Sequence, residues 1–313
     1  MPELCVGASC WTVVSGSNLL DALNAAGLDV PYSCRAGSCH ACLVRCLDGL
    51  PEDARPEALD LHKREQGWRL ACQCQVAQDL RVAVFDPLSD GLAARVCTLE
   101  WLGGEVLRLG LRPERPLRYR AGQHVVLWNG GVARPYSLAS VPGEDEVLEF
   151  HLDCRRSGDF CTRARALRQG DSLRLGELRG GALHYDADWQ ERPLWLLASG
   201  TGLAPLWGIL REALQHGHRG AIKVVHVAHD DAGHYLAEPL RRLVDAHEGL
   251  EVGLVKVAEL PQVLAGLRVV SRQTVALTCG GTEFVDQLAR RLFIAGLPRS
   301  QVLSDVFVEK TRE

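Results

Sequence analysis

The sequence predicts a multidomain chain: a small cysteine-bearing module, then an antiparallel β-barrel, then an α/β domain built on a parallel sheet. Three observations predict this. Six of the twelve cysteines lie between Cys34 and Cys74. Short strand-like runs broken by Gly and Pro fill the stretch from Arg95 to about Gly181, at the spacing of an antiparallel barrel. After Pro193, strand-like runs alternate with helical patterns, as βαβ units require.

At 313 residues there is room for two or three domains. A hydrophobic fraction of 47% with 31 Gly and 14 Pro suits a turn-rich globular protein. A net charge of −4 offers no basic field for nucleic acid. The opening "MPELCVGASC" lacks the pattern of a signal peptide, and no apolar run approaches a membrane span. The expected address is the cytoplasm, without membrane insertion. Cysteines there stay reduced unless bound, which argues against a disulfide framework.

The first module covers residues 1–88. "PYSCRAGSCHACLVRC" places Cys34-x4-Cys39-x2-Cys42, and 29 residues separate Cys42 from Cys72. This is the plant-type [2Fe–2S] spacing with its distant fourth cysteine. A tight loop must bring thiolates to two irons while its N–H groups face the sulfides, and Ala36, Gly37, Ser38 and Ala41 are small enough to allow it. Other metal sites fit less well. A zinc ribbon on Cys39, Cys42, Cys72 and Cys74 leaves Cys34 idle and its second knuckle one residue short. A bacterial [4Fe–4S] run fails because Cys34 is too far from Cys39 and Leu47 stands where Pro is needed. A Rieske centre needs a His pair, and His40 reads as an exposed loop residue. Cys46 reads as a packing residue on a strand face, and Cys74 is the rival to Cys72. Cys5, Cys10, Cys97 and Cys154 carry no motif and read as ordinary buried residues. The module resembles a plant-type ferredoxin domain, which implies a β-grasp (α+β) fold with Cys34, Cys39, Cys42 and Cys72 as metal ligands.

"FDPLSDG", from Phe85 to Gly91, reads as a turn-rich linker. The second module, residues 92–188, holds the runs "RVCTLEWL", "EVLRLGL", "HVVLWNG", "RPYSLAS" and "VLEFHLDC". Its order of "YRAGQHVVLW", "RPYS", "GDFCTRARALRQGD" resembles the FAD-binding barrel of the ferredoxin–NAD(P)H reductase superfamily. The resemblance implies that Tyr136 meets the flavin ring, Arg134 the pyrophosphate, and Ser137 the neighbourhood of N5. A helix following Cys161 and Thr162 is expected to offer N–H groups to the pyrophosphate. The family often has Ser here, so the resemblance leaves open which of Cys161 and Thr162 donates. Gly170–Asp171 reads as a turn.

The third module, residues 192–313, opens with "LWLLASGTGLAPLWGIL": strand, glycine turn, helix. Gly200, Thr201 and Gly202 permit close approach of a pyrophosphate, and Pro205 suits a first helical turn. Pro205 stands where G-x-G-x-x-G has its third Gly. The same departure, G-T-G-x-x-P, occurs in the reductase superfamily. "LTCGG" resembles that family's C-G-P-P turn without the prolines, which implies Cys279 and Gly280 beside the nicotinamide. Asp230 and Asp231, with no Arg nearby in "VVHVAHDDAGHYL", suit a ribose hydroxyl and favour NADH over NADPH. His229 and His234 read as polar loop residues. The final "VLSDVFVEK" resembles the superfamily's last strand, with Asp305 and Phe307 as candidates near the flavin.

Taken along the whole chain, these modules resemble the reductase components of bacterial multicomponent oxygenases. The resemblance implies hydride transfer from NADH to FAD, then single electrons through a [2Fe–2S] cluster to an oxygenase or other electron-accepting protein. In that scheme Ser137 and Cys279 are the candidate catalytic residues. A monomer is expected. A CDP-6-deoxyglucoseen-reductase-type donor shares the architecture and stands as an alternative, as does a non-catalytic iron–sulfur redox sensor.

Overall fold

A computed structural model of the chain describes residues 1–156, 158–180 and 182–308. It divides into two compact units. The first comprises Met1–Ala93, Val125–Pro135 and Leu173–Arg179; the second comprises Ala94–His124, Tyr136–Ser172 and Gly180–Glu313.

In the first unit a five-stranded sheet runs in the order Ser9–Thr12, Glu3–Val6, Leu80–Val84, Leu43–Asp48, Trp68–Leu70. Glu3–Val6 pairs parallel with Leu80–Val84 while its other neighbour is antiparallel. The helix Leu19–Ala25 lays Leu19, Leu20 and Leu23 into the same core as Leu4, Val44 and Val82. A helix packed on a mixed sheet is the α+β arrangement the sequence predicts. Asn18 starts that helix, its side-chain oxygen accepting from the N–H groups of Leu20 and Asp21.

Two expectations fail in this unit. Cys5 and Cys10 form a disulfide and are not ordinary buried thiols. They face each other across the hairpin of Glu3–Val6 and Ser9–Thr12, with Cα atoms 4.1 Å apart, so strand register brings them together. Phe85 is also no linker residue. It is buried, stacks on Trp128 with ring centroids 5.5 Å apart, and packs against Trp68. The turn proper begins at Asp86, whose carboxylate accepts from the Leu88 N–H.

The half-barrel strands fall into two groups of three. Val132–Ser137, His124–Asn129 and Ser172–Arg179 are consecutive neighbours lying mostly in the first unit. Leu92–Leu102, Val106–Pro113 and Leu148–Asp153 pair antiparallel in the second.

The rest of the second unit is a parallel sheet in the order Leu250–Lys256, Ile222–Ala228, Leu194–Ser199, Val275–Gly281, Val302–Phe307. The helix Leu203–Gln215 buries Leu203, Leu206, Ile209, Leu210 and Ala213, a repeat of three and four residues that turns one face to the sheet. The order of connection reverses at Leu194–Ser199. A crevice therefore opens past the carboxyl ends of this strand and Val275–Gly281, the place where open α/β sheets bind ligands. The expected last strand ends at Phe307; Glu309 and Lys310 lie outside the described residues. Among the described residues, no helix is long and apolar enough to cross a membrane.

Candidate functional site

Three of the four predicted ligand thiols sit on the loop before strand Leu43–Asp48, and the fourth on the short turn Ala71–Gln73. The loop bends through left-handed backbone at Arg35, Gly37 and His40. Arg35 is held there by Asp21, 2.8 Å away, and by the Tyr32 ring beneath its guanidinium. Two side chains brace the loop from outside. Arg55 donates to the Ala36 carbonyl at 2.8 Å, and Gln73 donates to the Arg35 carbonyl at 3.0 Å.

The thiols form two hydrogen-bonded pairs, Cys34 with Cys39 and Cys42 with Cys72. The Cys34 sulfur also accepts from the N–H groups of Ala36 and Cys39, both at 3.3 Å. The Cys39 thiol and these further donors lower Cys34 to about 4 against the opposing effect of burial. The Cys42 thiol, followed by the Gln73 amide 3.2 Å away, lowers Cys72 to about 7. Donors converging on sulfur favour thiolate, the form that binds metal. Cys74 belongs to other surroundings. It is fully buried, and burial, then Asp53 and Cys46, push its thiol up. Cys46 packs against the core as a half-buried residue. His40 corrects the sequence reading: it is buried, because the left-handed turn folds it inward.

Arg134 and Tyr136 stand two apart on strand Val132–Ser137, so they share a face. The Tyr136 ring lies 5.1 Å from that of Phe160, and Ser137 is buried. The helix expected after Cys161 and Thr162 starts earlier and runs Asp159–Arg165. Thr162 therefore spends its N–H on the Gly158 carbonyl at 2.8 Å, while the Cys161 thiol donates to the Asp153 carbonyl at 3.2 Å. The N–H groups that precede the first helical bond include those of Asp159 and Phe160. Gly170, with φ +96°, makes the expected turn with Asp171. Cys97 is half-buried rather than buried.

The glycine turn is built by interlock. A Cβ on Gly202 would meet the Cys279 carbonyl oxygen at 2.3 Å, and one on Gly280 would meet the Ser199 hydroxyl at 2.1 Å. The two turns at the reversal point therefore pack backbone to backbone. Gly200 is left-handed, at φ +53°. Thr201 is half-buried between the two glycines, and Pro205 is buried in the first turn of the following helix. The Cys279 thiol is fully buried among Leu196, Ala198 and Leu277, so this segment presents backbone to the crevice. Cys279 pairs in register with Asp305, and Gly281 with Phe307, which places both last-strand candidates beside this turn.

Asp230 and Asp231 are exposed past the end of strand Ile222–Ala228. Asp230 accepts from the Gly233 N–H at 2.9 Å, and Asp231 pairs with Lys256 at 3.0 Å. His229 is exposed as expected, whereas His234 is buried against His226.

The sequence reading missed several neighbours of these groups. Asn18, besides capping its helix, donates to the Cys72 carbonyl at 3.0 Å. Arg155, clamped by Asp153 at 2.5 Å, brings its guanidinium to 3.6 Å from where a Gly200 Cβ would stand. His226 holds the Gly200 carbonyl. An Asn directly before the apolar helix pattern was a readable signal; the other two depend on contacts distant in the chain.

Comparison with known proteins agrees with this geometry. Residues 8–77 match the 2Fe-2S iron-sulfur cluster binding domain family, and residues 196–289 the oxidoreductase NAD-binding domain family. The ferredoxin–NAD(P)(+) reductase component of the naphthalene 1,2-dioxygenase system of Pseudomonas putida is 28% identical over 94% of each chain. Reductase component 1 of terephthalate 1,2-dioxygenase from Comamonas sp is 31% identical, over 71% of this chain and 68% of that one. The crystal structure of an Amycolatopsis cytochrome P450 reductase shares the fold, with TM-score 0.66 and 24% identity over 99% of both chains. Paired thiols, half-barrel, glycine turn and relatives agree, and the chain belongs to the family of ferredoxin–NAD(P)(+) reductase components of oxygenase systems.

Proposed function

We propose that this oxidoreductase carries electrons from NADH to an oxygenase component through three modules, at residues 1–88, 92–188 and 192–313. One observation carries the reading. A single chain holds four thiols paired on an N–H-lined loop and an interlocked glycine turn at the reversal point of a parallel sheet. When bound, the flavin accepts a hydride and releases its electrons one at a time, and the [2Fe–2S] cluster carries them singly.

The chain's own residues position and shield. Cys34, Cys39, Cys42 and Cys72 are the proposed cluster ligands, and the fit rests on the donor set: four sulfurs, two already drawn towards thiolate by converging donors. For the flavin, Tyr136 offers a ring face, Arg134 a cation and Ser137 a hydroxyl with only 6% exposure. Cys161 and Thr162 lie in the helical turn proposed to meet the pyrophosphate. With the Thr162 N–H already used, its exposed hydroxyl is the donor it can bring. Gly200, Thr201, Gly202 and Pro205 form the dinucleotide turn, and Cys279 and Gly280 shape the nicotinamide pocket through their backbone. Asp230 beside the paired Asp231 disfavours a 2′-phosphate, so NADH is the proposed donor. Phe307 closes the end of the last strand.

The test is an anaerobic absorption titration of purified protein with NADH and, separately, NADPH. Flavin and iron–sulfur bands that bleach together, with NADH the better donor, support the proposal. A colourless protein, or bands indifferent to both nucleotides, would overturn it.

A further inference from the structure

A chain of buried polar side chains stands directly behind the glycine turn. His226, fully buried on strand Ile222–Ala228, places Nε2 3.0 Å from the Gly200 carbonyl. Its Nδ1 lies 3.4 Å from Nδ1 of His234. The ring of Tyr235 meets His226 edge-on, with centroids 5.6 Å apart. The Tyr235 hydroxyl lies 3.2 Å from Nδ1 of His151, whose Nε2 is 2.9 Å from the Glu149 carboxylate. Arg108 closes the series on Glu149 at 2.6 Å.

The hydrogen-bond inventory fixes the direction of the contacts at the turn. A carbonyl only accepts, so His226 carries its proton on Nε2 and donates to Gly200. Its Nδ1 is then the acceptor, and His234 donates from its own Nδ1. Burial, which outweighs the Gly200 contact, lowers His226 to about 4 and keeps the ring neutral, as this tautomer requires. Glu149 only accepts, so His151 donates to it from Nε2.

We propose that His226 is a positioning residue for the dinucleotide: its Nε2–H holds the Gly200 carbonyl and so keeps the Gly200–Gly202 turn in the shape that receives the pyrophosphate. The proposal rests on the reading of that turn as the NADH site. Two features give it weight beyond ordinary core satisfaction. The carbonyl held is that of the turn's one left-handed residue, where the backbone has most freedom to reorient. The ring doing the holding is locked on both sides, by Tyr235 and by His234.

The test compares His226→Leu with His226→Gln, because a glutamine amide reaches about as far as Nε2 and restores one donor. Binding of NAD⁺ is measured by isothermal titration, and NADH turnover with ferricyanide as acceptor. In His226→Leu the Kd and KM are expected to rise about five- to tenfold, the worth of one hydrogen bond. The kcat should stay within about twofold, and His226→Gln should return both constants to within about twofold of wild type. Wild-type binding by His226→Leu, or equal losses in both variants, would overturn the proposal. If the leucine variant does not fold, His226→Gln against the shorter His226→Asn decides, equality counting against. A wild-type protein that binds no NAD⁺ would remove the reading of the turn itself, which separates the two failures.

Discussion

At the scale of single residues, Cys72 is the proposed ligand and Cys74 a packing residue, and the two are separable. Cys72→Ser is expected to lose the iron while retaining NADH oxidation with ferricyanide. Cys74→Ser is expected to keep the iron, since Cys74 is fully buried on a strand paired with Asp53. Iron analysis of both variants checks this; normal iron in Cys72→Ser would move the ligand. Gly202 supports a second prediction. Its added Cβ would strike a backbone carbonyl that cannot swing away. Gly202→Ala should therefore cost about 1–3 kcal/mol and raise the KM for NADH, as urea unfolding and steady-state kinetics would show. An unchanged KM would mean that the interlock does not shape the site.

These positions also show what a sequence reveals at this scale. The thiol spacing was legible because three of the four thiols sit on one loop, where separations along the chain are short and fixed. Gly200 and Gly202 were legible because strand, glycine turn and helix follow one another directly there. Gln73 is adjacent to Cys72, but its role depends on the Arg35 carbonyl 38 residues away. Arg155 and His226 likewise meet Gly200 through contacts distant in the chain, and the Cys5–Cys10 disulfide depends on hairpin register, which cysteine spacing alone does not carry.

At the scale of elements, helix Leu19–Ala25 and the thiol turn share one residue. Asn18→Ala removes the cap and the bond to the Cys72 carbonyl together, for about 1–2 kcal/mol of stability. Faster cluster loss on warming, followed by the visible absorbance, is the expected signature; unchanged cluster lifetime would separate cap from cluster. The strand Ile222–Ala228 gives a pH dependence. The ordinary His226 pKa is 6.5 and the folded one is about 4, with burial the main cause. Between those values the unfolded chain binds the extra proton. This contribution to stability is complete above about pH 6.5 and is lost as the pH falls towards 4. Unfolding midpoints of wild type should therefore drop over this window more steeply than those of His226→Gln, and parallel curves would contradict it.

Element boundaries in the parallel sheet followed the sequence closely. Strand Leu194–Ser199 and helix Leu203–Gln215 coincide with the expected pattern because hydrophobic periodicity and the glycine turn agree there. Helix Asp159–Arg165 began earlier than expected, since Gly158 starts it and gives no side-chain signal.

At the scale of the molecule, the change from short antiparallel strands to strands alternating with helices was readable because each kind of sheet imposes its own rhythm on the chain. The burial of Phe85 was not readable, since the turn residues that follow it mask an aromatic belonging to a core. The central claim is that NADH electrons leave through the thiol-bound cluster. The most direct measurement is rapid-mix EPR of anaerobic protein with NADH, for wild type beside Cys72→Ser. A reduced [2Fe–2S] signal is expected in wild type and none in the variant, with flavin bleaching by NADH in both. A wild-type cluster that stays oxidised while the flavin bleaches would contradict it.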